Sequence, residues 1–244
     1  MYYFASDVHL GAGDRETAIS TERRFVSWLD AVSHDAKEIW LLGDIFDFWY
    51  EYRQVVPKGF VRTLGKLAEL SDKGVKIIFL TGNHDMWVGD YFAKECGVEI
   101  LTKPLCVNRA GKKLFIAHGD NLAIKGKPML KLMNWGFRSR FVRFVFSALF
   151  PKNAAVAFGK WWSGRSRKSH GGIYDRSILE PLREYGAELC RRQGLDGCIF
   201  GHLHIADDQT IGDSRILFLS DWVDVPTYAV LTDEGELTLK TYEQ

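Results

Sequence analysis

Residues 76–85 read Lys76-Ile77-Ile78-Phe79-Leu80-Thr81-Gly82-Asn83-His84-Asp85. An apolar, β-branched run that stops at a glycine and polar residues reads as a buried strand delivering side chains to a sheet edge. Here the delivered groups are an amide, an imidazole and a carboxylate in succession. The same design recurs along the chain. Tyr2–Ser6 runs into Asp7-Val8-His9, and Ile39–Leu42 into Gly43-Asp44. Lys113–Ala117 runs into His118-Gly119-Asp120, and Cys198–Phe200 into Gly201-His202-Leu203-His204. Five predicted strands therefore each place a metal-capable residue at the same end.

With 244 residues, 46% hydrophobic and 14% aromatic, the chain can bury a sizeable core and is not disordered. A formal charge of +1 gives no general affinity for nucleic acid, and none is expected as a partner. Cys96, Cys106, Cys190 and Cys198 lack Cys-x-x-Cys spacing and read as reduced thiols of a cytoplasmic protein. The first strand starts at Tyr2, so no signal peptide is expected. No apolar stretch is long enough for a membrane span.

Periodicity predicts helices over 21–32, 60–71, 89–96 and 178–193, with residues 11–20 as a polar loop. Further strands are expected at 98–101, 105–108, 215–219, 228–232 and 236–241, the last two joined by Asp233-Glu234-Gly235. Strand–helix alternation early and antiparallel pairs late predict an α/β sandwich of mixed β-sheets flanked by helices.

Residues 121–174 differ in kind. They hold eleven Lys or Arg, no Asp or Glu, and nine Phe or Trp, leaving 21 basic against 31 acidic residues elsewhere. Leu130, Met133, Phe137, Phe141, Phe144 and Ala148 make one helical stripe, ended by Pro151, and a second helix is expected over 153–162. One buried stripe does not account for Trp135, Phe146, Phe150, Trp161 and Trp162. The segment 122–174 is read as a basic, aromatic-rich helical lid inserted into a core of 1–121 and 175–244. Interleaved cations and aromatics suit an acyl-chain pocket or an anionic membrane surface.

Carboxylate, imidazole and amide donors together suit Mn²⁺, Fe²⁺ or Zn²⁺ better than Ca²⁺ or a thiolate zinc. Two such ions, bridged by Asp44, would clamp a phosphate and activate water for in-line attack. Gly43, Gly82, Gly119 and Gly201 fit tight turns where backbone approaches the site. Asp47 and Asp120 are open to two readings, partners that hold ligating histidines or ordinary turn residues. Trp49 is open to two readings, a core residue or a substrate contact.

Taken together, Asp7-x-His9, Gly43-Asp44, Gly82-Asn83-His84-Asp85, His118-Gly119-Asp120 and Gly201-His202-x-His204 resemble the five blocks of the calcineurin-like metallophosphoesterases. The resemblance implies that family's sandwich fold and two divalent ions, Mn²⁺ foremost. One ion would lie at Asp7, His9, Asp44 and His204, the other at Asp44, Asn83, His118 and His202. His84 would touch the phosphate and aid the leaving group, with Asp85 orienting it. Residues Gly43 to Trp49, the length and a hydrophobic insertion after the third block resemble more narrowly the UDP-2,3-diacylglucosamine pyrophosphatases of lipid A biosynthesis. Two departures stand out: His84 where the best-known members carry Arg, and Lys125-Gly126-Lys127 where they carry an acidic residue.

The narrower resemblance implies hydrolysis of a nucleotide-linked glycolipid to UMP and an acylated sugar 1-phosphate. Arg165 and Lys168, with Asn83, His84 and Trp49, would contact that substrate. The enzyme would be cytoplasmic, peripheral to the anionic inner face of the membrane. Two alternatives remain at this level: a phosphodiesterase or nucleotide pyrophosphatase with another substrate, and a non-catalytic scaffold on the same fold.

Overall fold

The computed structural model describes residues 1–123 and 175–243, with positions 129, 135, 136, 139, 141, 142 and 145 between them. Strands β1 (Tyr2–Ala5), β2 (Glu38–Leu41), β3 (Lys76–Leu80) and β4 (Glu99–Leu101) run parallel. With β10 (Thr227–Leu231) and β11 (Leu237–Thr241), paired antiparallel beside β1, they form a six-stranded sheet ordered β11-β10-β1-β2-β3-β4. The second sheet is ordered β5-β6-β7-β9-β8, from β5 (Leu105–Arg109), β6 (Lys112–Ala117), β7 (Gly197–Phe200), β8 (Asp207–Ile211) and β9 (Ser214–Phe218). Its inner strands β6, β7 and β9 are parallel, and its edges antiparallel.

Alternation along each strand builds the layers. Phe4, Trp40, Leu42, Ile78 and Leu80 of the first sheet meet Leu114, Ile116, Ile199 and Leu217 of the second in a core between the sheets. The opposite faces are covered by helices. Tyr3, Ala5, Ile39, Leu41, Ile77 and Phe79 pack on α1 (Arg15–Val32), α2 (Val61–Asp72) and α3 (Tyr91–Cys96) through Phe25, Trp28, Leu67, Leu70 and Phe92. Phe115, Cys198, Phe200, Ile216 and Phe218 pack on α4 (Glu180–Gln193) through Leu182 and Cys190. The α/β sandwich of mixed sheets is thus realised as four layers, helix, sheet, sheet, helix.

Two local expectations are corrected. The segment 11–20 is not all loop, because α1 begins at Arg15. Asp14 caps it by accepting a hydrogen bond from the Thr17 amide at 2.8 Å, before any apolar period is visible. Strand β8 was not expected, because its sequence Asp-Asp-Gln-Thr-Ile is polar and all but its first residue is exposed. It is an edge strand, held by pairing with β9 and not by burial. The expected stripe from Leu130 to Ala148, the stop at Pro151, the helix over 153–162 and the residues Arg165 and Lys168 lie outside the described residues, single positions apart. Met129, Trp135 and Phe141 are described, and the two aromatics are 69% and 73% exposed. No described helix is long and apolar enough to cross a membrane.

The core between the sheets sets the spacing of the two strand bundles. Phe4, fully buried and stacked on Trp40 with ring centroids 6.2 Å apart, lies in it. Phe4→Ala should cost about 3–5 kcal/mol of unfolding free energy, the usual loss for a buried aromatic. Urea unfolding checks this, and a loss below about 1 kcal/mol would place Phe4 outside the structural core.

Candidate metal centre

The C-terminal ends of β1, β2 and β3 in one sheet and of β6 and β7 in the other converge. Ladder hydrogen bonds continue past the strands into the turns that carry the polar residues. The Asp7 amide donates to the Gly43 carbonyl, that of His9 to Asp44 and that of Gly201 to His118, at 2.9–3.0 Å. The side chains therefore sit on fixed backbone. The backbone is also strained. Of the eight described non-glycine residues with positive φ, five are Asp7, His9, Asp44, His202 and His204. Each costs on the order of 1 kcal/mol or more, and such conformations gather where a site requires them.

The two carboxylates at the heart of the cluster divide their oxygens in the same way. Asp7 Oδ2 accepts from the Ser6 hydroxyl and from the His202 amide at 2.9 Å, while Oδ1 lies 3.2 Å from His204 Nε2 and 3.9 Å from His9 Nε2. Asp44 Oδ1 accepts from the His84 amide at 2.8 Å, while Oδ2 lies 3.3 Å from His118 Nε2 and 3.8 Å from His84 Nε2. One oxygen anchors a loop and the other faces the imidazoles. Among the described residues Asp7 Oδ1 is buried with no hydrogen-bond partner, and the Nε2 atoms of His9 and His204 stand 3.0 Å apart beside it. A buried acceptor aimed between two imidazole nitrogens fits a cation.

Among the described residues, three groups of donors are close enough to share an ion: Asp7, His9 and His204; His9, Asp44 and His84; Asp44, His118 and His202. Asp44 joins the second to the third, the arrangement of a carboxylate shared by two ions. Asn83 Oδ1 adds an amide oxygen 3.2 Å from His118 Nε2. The His118 ring is set from behind, since its Nδ1 donates to the Leu42 carbonyl at 2.8 Å and leaves Nε2 for the centre.

The electrostatics are those of a site that needs positive charge. Burial works against a charged His118, yet the charge and hydrogen bond of Asp44 outweigh it and lift the imidazole well above its usual value. Burial would raise Asp7, but the His204 imidazole 3.2 Å away holds it at about 2. His202 is pushed down to about 4 by burial and by the charge of His118. Protons and ions compete for these nitrogens, so cation binding releases protons.

The structure departs from the sequence reading at several residues. Asp85 does not orient His84. Its buried carboxylate accepts from the amides of Gly82 and Ile45, each at 2.8 Å, locking the β2 and β3 turns together. Burial, then the charge of Asp44, raises it to about 7. His84 is instead held by its Nδ1–H on the Asp47 carbonyl at 2.9 Å, which points Nε2 toward Asp44. Trp49 is fully buried against Phe46 and Phe92, so of its two readings the substrate contact is withdrawn. Asp47 Oδ1 lies 3.6 Å from His9 Nδ1. The charge of Asp120 bears on His118 and His202. Sequence reasoning missed Ser6, Ser220 and Asp221. The last two follow β9 and repeat the strand-end pattern without a histidine to flag it.

Gly82 shows how tightly the turns close. A Cβ there would lie 2.6 Å from the Asp44 amide nitrogen and closer still to Asp44 Oδ1. Gly82→Ala should therefore displace Asp44 and lower the bound divalent ion, measured by inductively coupled plasma mass spectrometry. Gly65→Ala in α2, where a Cβ meets nothing within 4 Å, should leave metal content intact and add about 0.4–1 kcal/mol of stability. Full metal content in the Gly82 variant would contradict this account of the turn.

Comparison with known proteins agrees with the geometry. The calcineurin-like phosphoesterase family model matches residues 2–206. A Porphyromonas gingivalis protein named UDP-2,3-diacylglucosamine hydrolase is 38% identical, covering 99% of this chain and 97% of its own. Proteins of the same name from Histophilus somni and Haemophilus influenzae are 35% and 27% identical, covering 83% and 90% of both chains respectively. With a family match over most of its length and polar strand ends that converge in space, this chain belongs to the calcineurin-like phosphoesterases.

Proposed function

We propose that the chain hydrolyses the pyrophosphate of UDP-2,3-diacylglucosamine to UMP and 2,3-diacylglucosamine 1-phosphate, a step of lipid A biosynthesis. As a calcineurin-like phosphoesterase it is a metal-dependent phosphoester hydrolase. The observation that carries the substrate is the extent of the likeness to relatives named for it. The alignment with the Porphyromonas gingivalis protein spans 99% of the chain and so runs through the basic, aromatic segment 122–174. A phosphodiesterase of soluble substrates would give no reason for that composition.

Asp7, His9, Asp44 and His204 would hold one ion and Asp44, Asn83, His118 and His202 the other, with Mn²⁺ as the expected metal. When bound, two ions neutralise phosphate charge and make water nucleophilic at neutral pH. The chain's own contribution is positioning and proton transfer. Water adds to one phosphorus, the bridging P–O bond breaks, and the leaving phosphate oxygen needs charge neutralised. His84 is suited to this: its Nδ1–H is committed to the Asp47 carbonyl, and Nε2 faces the centre, able to donate when protonated. Asn83 stands beside it. Arg165 and Lys168 are assigned to the substrate's phosphates on charge, and the lid to its acyl chains. The exposed Trp135 and Phe141 support peripheral contact with an anionic membrane surface from the cytoplasmic side.

Mass spectrometry of products from UDP-2,3-diacylglucosamine with Mn²⁺ tests the reading. UMP and the diacylated sugar 1-phosphate are expected; intact substrate, beside hydrolysis of a generic phosphodiester, would move the assignment to another substrate. His84→Gln should lower kcat by roughly 10²–10⁴ with metal content unchanged. Loss of metal in that variant would make His84 a ligand.

A further inference from the structure

Beyond the five blocks, one buried acid reaches the cluster from a strand end that none of them includes. We propose that Asp221 is a positioning residue for the half of the centre formed by Asp7, His9 and His204, setting its cation affinity through its charge on the Nδ1 side of His204. This rests on the reading that the centre takes two ions.

Asp221 is 5% exposed. Its Oδ1 accepts from the amides of Val223 at 2.9 Å and Asp224 at 2.8 Å, which fixes the carboxylate plane. Its Oδ2 lies 3.9 Å from His204 Nδ1. This is the division of oxygens found in Asp7 and Asp44, one for the loop and one for the centre. The neighbouring residues act on the same pair of candidate ligands. Ser220 Oγ donates to the His204 carbonyl at 2.8 Å, and the Trp222 amide donates to the Asp7 carbonyl at 3.0 Å. The segment 220–222 thus grips both Asp7 and His204, and its single charge faces the back of one imidazole.

At 3.9 Å the contact is electrostatic and not a hydrogen bond, and a negative charge on that side of a ligating imidazole favours the tautomer with its proton on Nδ1, leaving Nε2 free and more basic. Asp221 makes no hydrogen bond or ion pair with Asp44, His118 or His202, so the other half should not depend on it.

The test uses the full chain stripped of metal by chelation and titrated with Mn²⁺, the free ion followed by electron paramagnetic resonance. Wild type should take up two equivalents. Asp221→Asn keeps the Oδ1 acceptor of the turn and removes the charge, so the fold should stand. In it one equivalent should bind as in wild type, and the other about 10–100-fold more weakly, the usual effect of losing such a partner. Asp221→Ser, which retains a turn acceptor, should behave alike. Excess Mn²⁺ should restore kcat in both variants, which a collapsed site would not allow. Two unchanged equivalents in either variant, or equal weakening of both, would overturn the proposal while leaving the two-ion reading in place. One equivalent in wild type would overturn the two-ion reading and the proposal with it.

Discussion

The carboxylate of Asp44 carries more of this structure than any other group. It is buried, its backbone has positive φ, and its two oxygens serve different partners. Oδ1 accepts the His84 amide and so fastens the turn after β3 to the turn after β2. Oδ2 faces His118 and His84. A buried carboxylate is tolerated only when hydrogen-bonded and charge-compensated. Its neighbours are imidazoles, so the compensation is either a proton or a cation. The glycines follow from the same constraint: a Cβ at Gly43 or Gly82 would occupy space taken by His118 Nδ1 or by Asp44 itself.

The fold serves this cluster by ending strands of two sheets at one place. Parallel order within β1–β2–β3 and β6–β7 puts their C-terminal ends side by side, and the core between the sheets fixes the distance between the two sets. Asp85 illustrates how little of the polar apparatus is free to move. It lies next to the catalytic candidate His84, yet both of its oxygens bind backbone amides of neighbouring turns. It holds the rim together and does not reach the chemistry. Glu51 has a comparable place farther out, where it accepts the amides of Gly89, Asp90 and Tyr91.

Much of this was legible in the sequence, for a physical reason. A buried parallel strand is a short apolar run, and a residue at its end has few places to go, so five such runs ending in ligand types specify a common edge. What escaped had no such signature. The first turn of α1 is polar and is announced only by the Asp14 cap. Strand β8 is an exposed edge whose side chains need no apolar pattern. Trp49 could be judged only from its packing, since an aromatic beside a site reads the same whether it faces substrate or core. The partners of Asp85 and His84 are backbone groups, and a sequence does not say which carbonyl a side chain will meet. Asp221 ends a strand like the five blocks, but without histidine or glycine nothing marked it.

That Asp44 is shared by two ions is the central claim, and spin coupling reports it directly. Electron paramagnetic resonance of the protein loaded with two equivalents of Mn²⁺ should give the spectrum of an exchange-coupled pair. The coupling should vanish in Asp44→Ala. Two equivalents bound with only uncoupled, mononuclear signals in the unaltered protein would contradict the account.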